Sequence, residues 1–292
     1  MTVSQALQEF LIEQQIRGNS PHTVAYYRRN VGFYVKYVGI DCGISDVTLS
    51  SLKSYYLQLA AKELSTVTVQ TYIRALRAFL TWCFNEEYIS LNLSDKFKLP
   101  KAKRRVIDVL TDTEIRSLVN SFDKSFIGLR NLCICSLMLD SGLRLSEVIT
   151  LKMSSVHIAE GYIIVTGKGN KERIVPIGLH SKKHLLKYMA RCPNTNQETA
   201  LFVKDAIIPI KSTTVREIFR KLKVKLNMPR LRAHLLRHTF ATRYLENGGD
   251  IYALQQILGH TSLEMVKKYI HITPKKIAVN FSRFSVLDNL GE

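Results

Sequence analysis

Residues 95–110 read DKFKLPKAKRRVIDVL, with one proline, six basic residues from Lys96 to Arg105 and no apolar repeat. Neither a core helix nor a core strand can be built from such a segment, because both need apolar side chains at a regular spacing on one face. A chain of 292 residues interrupted there has room for two domains. The interruption predicts an amino-terminal domain over 1–95, a basic linker over 96–109 and a second domain over 110–292. A charge run of this kind is ordinarily a solvated connector. Lys96, Lys98, Lys101, Lys103, Arg104 and Arg105 could also lie along phosphates.

The amino-terminal part carries helical patterns only. In SPHTVAYYRRNVGFYVKYVG, Ser20 is placed as an N-cap, Pro21 at the first helical position and Gly39 near the stop. In LSTVTVQTYIRALRAFLTWCFNEEYI, Val69, Tyr72, Leu76, Leu80 and Cys83 fall on one helix face. With the opening segment and VTLSSLKSYYLQLAAK these make about four helices, enough for a small bundle. After the linker, Thr111 and Glu114 have capping-box spacing. Helical LRNLCICSLMLDSGLRLSEVITL then gives way to GYIIVTGKGNKERIVPI, two short strands around a Gly-rich turn. Helices resume to the end. The fold expected is mainly α with a small β-sheet.

A formal net charge of +18 points to a polyanionic partner, with nucleic acid the usual one. A membrane surface is the weaker reading, because no run of about 20 apolar residues is present. The opening MTVSQALQEFLIEQQ lacks the basic and apolar regions of a secretion signal. Of the five cysteines, Cys133 and Cys135 sit in an apolar run at a spacing that suits neither zinc nor redox exchange. They read as buried thiols in a reducing, cytoplasmic compartment.

In RAHLLRHTFATRYLENGG, His234 and Arg237 share a helix face, opposite Leu236 and Phe240. Taken singly, such a face serves solubility. DIYALQQILGH starts at an Asp cap and stops at Gly259, delivering His260 just past a helix end. Thr261 and Glu264 have capping-box spacing, and a short helix is expected from there to Thr273-Pro274. Leu263, Val266 and Ile270 would form its apolar stripe, with Tyr269 at the edge as a rim aromatic.

The spacings taken together say more. SGLRLSEV supplies Arg144 and TGKGNK supplies Lys168, followed by His234, Arg237, His260 and Tyr269. In HLLRHTFAT, LENGGDIYALQQILGH and HTSLEMVKKYIH the chain resembles the tyrosine recombinase (phage integrase) family, especially its Xer-like members. The resemblance covers nearly the whole chain. It implies a SAM-like helical domain that clasps DNA, a basic linker and a mixed α/β catalytic domain. It implies a site-specific recombinase of cytoplasmic or mobile-element DNA, acting as a homo-tetramer on two duplex sites, with or without a second recombinase or accessory protein. No cofactor, metal or membrane partner is expected.

Displacement at a phosphodiester loads charge on the nonbridging oxygens and needs an in-line nucleophile and a protonated leaving group. Clustered carboxylates holding divalent metals often serve this chemistry, and none lies near these motifs. Guanidinium groups can substitute, because each offers a fixed fork of donors and stays charged. Arg144 and Arg237 are the candidates, a role the resemblance also implies. Glu147, one turn beyond Arg144, could hold that guanidinium in register or form a surface ion pair. Tyr269 would be the nucleophile, His234 its proton acceptor and His260 a phosphate ligand. Lys168 would protonate the leaving 5′ hydroxyl, with Lys171 as a local competitor. His238 and His271 read as structural, and His22, His157, His180 and His184 receive no role. A nicking-closing topoisomerase with the same chemistry is the alternative enzyme, and a DNA-binding protein of the same fold without catalysis is the alternative class. The apolar terminal segment NFSRFSVLDNL, with Phe281, Phe284, Leu287 and Leu290, would pack on its own domain or dock on a neighbour.

Overall fold

The computed structural model describes residues 1–100, 108–167, 171–192, 196–205, 208–260, 262–267 and 269. It divides into two compact units, Met1–Arg105 and Val106–Glu292.

The first unit contains α1 (Val3–Ile16), α2 (Pro21–Val38), α3 (Leu49–Ala60), α4 (Thr66–Asn85) and the short α5 (Leu93–Lys96). Side-chain caps fix where these helices start: the Ser20 hydroxyl accepts from the Thr23 amide and Pro21 opens α2. Gly39, at φ 95°, ends α2 in a conformation that favours glycine. The expected stripe on α4 is found, with Val69, Leu76, Leu80 and Cys83 buried and Tyr72 packed at the margin. Ile73, Phe79 and Trp82 widen it. Phe10 of α1 packs its ring 5.6 Å from Phe79 and 5.4 Å from Trp82, which joins the two helices at the centre of this core. The segment expected to be linker from residue 96 onward is still part of this unit at its start. Phe97 is buried, Leu99 packs beside it, and the Pro100 carbonyl accepts from Gln70 Nε2 at 2.7 Å. Two apolar residues hidden among lysines are enough to dock the chain, a signal that a charge count overlooks. Lys96 and Lys98 are exposed. Lys101, Lys103, Arg104 and Arg105 lie outside the described residues.

The second unit is built on α6 (Asp112–Asn120), α7 (Phe126–Asp140), α8 (Leu145–Thr150), α9 (Leu179–Met189), α10 (Ser212–Lys225), α11 (Ala233–Glu246), α12 (Ile251–Leu258) and α13 (Glu264–Lys267). Thr111 and Glu114 form the capping box read from their spacing. Helix α7 is buried along most of its length, which is why its sequence is apolar all round rather than striped. Cys133 and Cys135 lie within it as free buried thiols, and burial pushes Cys135 up to about 12. A three-stranded antiparallel sheet of β1 (Val156–His157), β2 (Tyr162–Thr166) and β3 (Glu172–Pro176) runs in the order β1-β2-β3. The hairpin of β2 and β3 is the one expected. Strand β1 has two residues, too few to show an alternating pattern. Among the described residues no helix is long and apolar enough to cross a membrane.

Candidate active site

Arg144 immediately precedes α8, and its backbone amide donates to Glu147 Oε2 at 2.8 Å. The same glutamate accepts from Arg144 Nη1 at 2.7 Å through Oε1. Glu147 is 4% exposed, so this is a buried ion pair rather than the surface pair its spacing alone allows. The carboxylate also receives Arg173 Nη1 at 3.0 Å and Arg173 Nη2 at 2.9 Å, one to each oxygen. Arg237 Nη1 lies 3.9 Å away. Burial pushes the Glu147 carboxyl up. Hydrogen bonds from Arg173 and from the Arg144 amide, with the Arg173 charge, outweigh it and hold the carboxyl below the ordinary glutamate value.

The second anchor is the carboxyl end of α12. Asp250 caps its start, accepting from the Ala253 amide, and Gly259 ends it in the left-handed region at φ 60°. Three successive carbonyls there are taken by three arginines. Ile257 accepts from Arg173 Nε at 2.8 Å, Leu258 from Arg237 Nη2 at 2.7 Å and Gly259 from Arg144 Nη2 at 3.3 Å. Cations at the negative end of a helix are favourable. Three guanidiniums around one carboxylate still leave the cluster positive, which suits an anion.

Arg237 is 1% exposed although His234, three residues earlier on the same helix, is exposed, so the solubility reading fits the histidine and not the arginine. It also donates to Gly142 O at 2.5 Å and to His260 Nε2 at 3.1 Å. Because arginine only donates, His260 Nε2 is the acceptor in this contact. Burial and the Arg144 charge lower the Arg237 pKa to about 10, still far above neutrality.

Tyr269 departs from its expected place. Helix α13 spans Glu264–Lys267, and Tyr269 lies in a turn beyond it, its amide bonded to the Val266 carbonyl at 2.9 Å. It is 2% exposed, within a small core of Ala241, Leu254, Leu258 and Val266, not a rim aromatic. Its ring lies 6.5 Å from that of His260, nearly parallel. Burial raises the phenol pKa, against lowering by Arg237 and Arg144, so the group is protonated at neutral pH. The hydroxyl lies 3.0 Å from His238 Nδ1, a histidine that reads as structural from spacing alone. The His234 ring packs against His238 at 4.3 Å. The hydrogen-bond partner this geometry gives the phenol is thus His238, with the expected acceptor, His234, edge-on beside that ring.

The structure therefore brings Arg144, Glu147, His234, Arg237, His260 and Tyr269 into one connected cluster. Lys168 lies outside the described residues, as do Thr261, Ile270 and His271. Lys171 borders an open cleft that Arg144, Glu147, Arg173 and His260 also line. Sequence reasoning missed Arg173. The signal was available in the strand register: Arg173 pairs with Val165 and alternates with exposed neighbours, which puts it on the buried side of β3. An arginine there needs a carboxylate partner. Among the described residues no group of three or more His, Cys, Asp or Glu side chains could hold a metal ion.

Comparisons with known proteins point to one family. The Phage integrase family model matches residues 108–276, and the Phage integrase, N-terminal SAM-like domain model matches residues 7–87. The chain is 30% identical to the tyrosine recombinase XerD of Halalkalibacterium halodurans, covering 97% of this chain and 98% of the relative. It is 30% identical to the tyrosine recombinase XerC of Bacillus pumilus, covering 94% of each. The Tn1549 transposon integrase in complex with a circular intermediate DNA superposes with a TM-score of 0.78 at 22% identity, over 98% of this chain and 100% of that one. A lambda integrase dimer bound to a core site gives 0.74 at 18% identity, over 92% and 95%. Those last two likenesses concern the fold. The arginines gathered at one helix end, the neighbouring tyrosine, the match across the second unit and the full-length relatives agree: this chain belongs to the phage integrase family, among its Xer-like tyrosine recombinases.

Proposed function

We propose that this protein is a site-specific recombinase that cuts and rejoins duplex DNA through a 3′-phosphotyrosyl intermediate. The observation that carries the reading is the convergence of Arg144, Arg237, His260 and Tyr269 around the end of α12. A scissile phosphate received there would have its nonbridging oxygens met by Arg144 and Arg237, with a further hydrogen bond from His260. The Tyr269 oxygen attacks phosphorus while the bond to the 5′ oxygen breaks. The phenolic proton passes to His234 or to His238, whose Nδ1 lies 3.0 Å from the hydroxyl. Lys168 returns a proton to the departing 5′ oxygen. Glu147 keeps Arg144 aimed. No water enters, so the ester is conserved and can be re-formed on another strand without ATP, and the charge neutralisation calls for no metal.

Exchange between two duplexes needs two cleavages on each, hence a synaptic tetramer. Exposed Lys96 and Lys98, with Lys101, Lys103, Arg104 and Arg105, would follow the DNA backbone. The relatives' name of tyrosine recombinase and the basic charge support duplex DNA as the partner. The terminal segment 280–292 would dock on a neighbouring protomer. Its deletion should leave DNA binding within about twofold and lower two-site recombination by about tenfold or more, the scale of a modest coupling energy. Full recombination by the truncated chain would remove that role.

The test of the reading is a nicked suicide duplex bearing the cognate site. The protein should accumulate in covalent linkage to the 3′ side of the break and leave a 5′ hydroxyl that a kinase can label. Linkage to the 5′ side, or a free 3′ end, would refute it. A plasmid with two sites then separates exchange from relaxation alone.

A further inference from the structure

Arg173 belongs to none of the motifs that identify the site, yet three of its nitrogens are committed to the framework. Nε donates to Ile257 O at 2.8 Å, and Nη1 and Nη2 reach the two Glu147 oxygens at 3.0 and 2.9 Å. A planar fork can meet both carboxylate oxygens at once, which a single ammonium cannot. The Arg173 side chain is 14% exposed, compared with 33% for Arg144. Gly259 is fitted to the same guanidinium, since a Cβ there would lie 3.1 Å from Arg173 Cζ, Nε and Nη1. The group is therefore wedged between the carboxylate that holds Arg144 and the helix end that presents His260.

We propose that Arg173 is a positioning residue for strand cleavage, joining Glu147 to the last turn of α12 and so fixing Arg144 relative to the Gly259–His260 turn. The proposal rests on the phosphotyrosyl reading above, because it needs a phosphate received by Arg144 and His260. Arg173 acts through its neighbours: two of its nitrogens bond to the carboxylate that holds Arg144, and the third bonds to the end of the helix that precedes His260. Without Arg173, Glu147 can swing with Arg144, and of the three arginines at the helix end Arg237 and Arg144 remain. A displacement of about 1 Å at a reacting centre costs on the order of a hundredfold in rate.

The charge environment supplies a second readout. The groups facing the Glu147 carboxylate are Arg144 from its own turn, Arg173 from β3 and Arg237 from α11. After burial, which raises it, the Arg173 hydrogen bonds are the largest influence on this carboxyl. Losing them should raise its pKa and carry the acid limb of the cleavage profile to higher pH.

Cleavage of the suicide duplex at saturating DNA by wild type, Arg173→Lys and Arg173→Met tests this, with DNA affinity measured in parallel. Both variants should bind DNA within about threefold of wild type, the lysine cleaving about tenfold and the methionine about a hundredfold more slowly. The acid limb of Arg173→Met should move upward in pH. Cleavage at the wild-type rate with an unmoved profile would overturn the proposal. If Arg173→Met does not fold, Arg173→Lys decides: slow cleavage with normal affinity supports positioning, and a full rate overturns it. Absence of any adduct with the wild-type protein is the separate result that would defeat the underlying reading.

Discussion

Tyr269→Phe should bind its DNA site as the wild type does and form no covalent adduct. The substitution removes one oxygen from a ring that is otherwise held by Ala241, Leu254, Leu258 and Val266. The contact to His238 Nδ1 is lost, and a hydrogen bond of this kind is worth about 0.5–1.5 kcal/mol to stability. The unit should therefore stay folded, and the hydrogen bonds of Arg144 and Arg173 to Glu147 remain available. Chemistry is another matter, since no other group at this position can attack phosphorus. A denaturing gel of the trapped duplex should show the shifted band for wild type alone. A band of equal strength from the variant would mean that the nucleophile is elsewhere in the chain.

Glu147→Ala should produce the largest loss of stability among single changes at the site. The carboxylate is buried between Arg144, Arg173 and Arg237, whose side chains are 33%, 14% and 2% exposed. Removing it leaves like charges facing one another in a poorly solvated space, a change that typically costs about 3–5 kcal/mol. Glu147→Gln keeps the shape and one acceptor oxygen and should lose less. Chemical denaturation followed by circular dichroism gives the measurement. The chain's single tryptophan, Trp82, lies in the first unit and provides an internal control, because its transition should not shift. An unchanged midpoint for the second unit would contradict the assignment of Glu147 as the hub. The effect also has a pH signature. The folded pKa lies below the ordinary 4.5, so the contribution is complete above that value and fades as pH falls through the folded pKa. Wild type should lead Glu147→Gln by its full margin at neutral pH and lose that lead in acid.

Much of the fold is legible in local chemistry. Caps at Ser20, Thr111 and Asp250 and the stop at Gly259 set helix ends through hydrogen bonds to neighbours in sequence, so short-range spacing reports them. The hairpin is legible for the same reason. Arg173 is harder to see, because KERIVPI looks like a solvated turn leading into a strand until the register against Val165 is known. Tyr269 is harder still. It lies past the end of α13, so helical periodicity does not govern it, and its burial is decided by Leu254 and Leu258 of another helix. The pairing of His238 with the phenol has the same origin. Spacing puts His234 and His238 on one face of α11, and only the fold determines which of them a tyrosine 31 residues away will meet.

The end of α12 also has a consequence for how such a chain can vary. Its last carbonyls accept from Arg173, Arg237 and Arg144 and so keep three mutually repelling cations gathered. Inserting one residue into the helix would rotate those carbonyls by about 100° and advance them by about 1.5 Å. All three arginines would lose their oxygen in a single event, while a surface substitution such as one at exposed Tyr252 would disturb none of them. Helix length, more than the identity of the outward side chains, is what this catalytic centre cannot trade away.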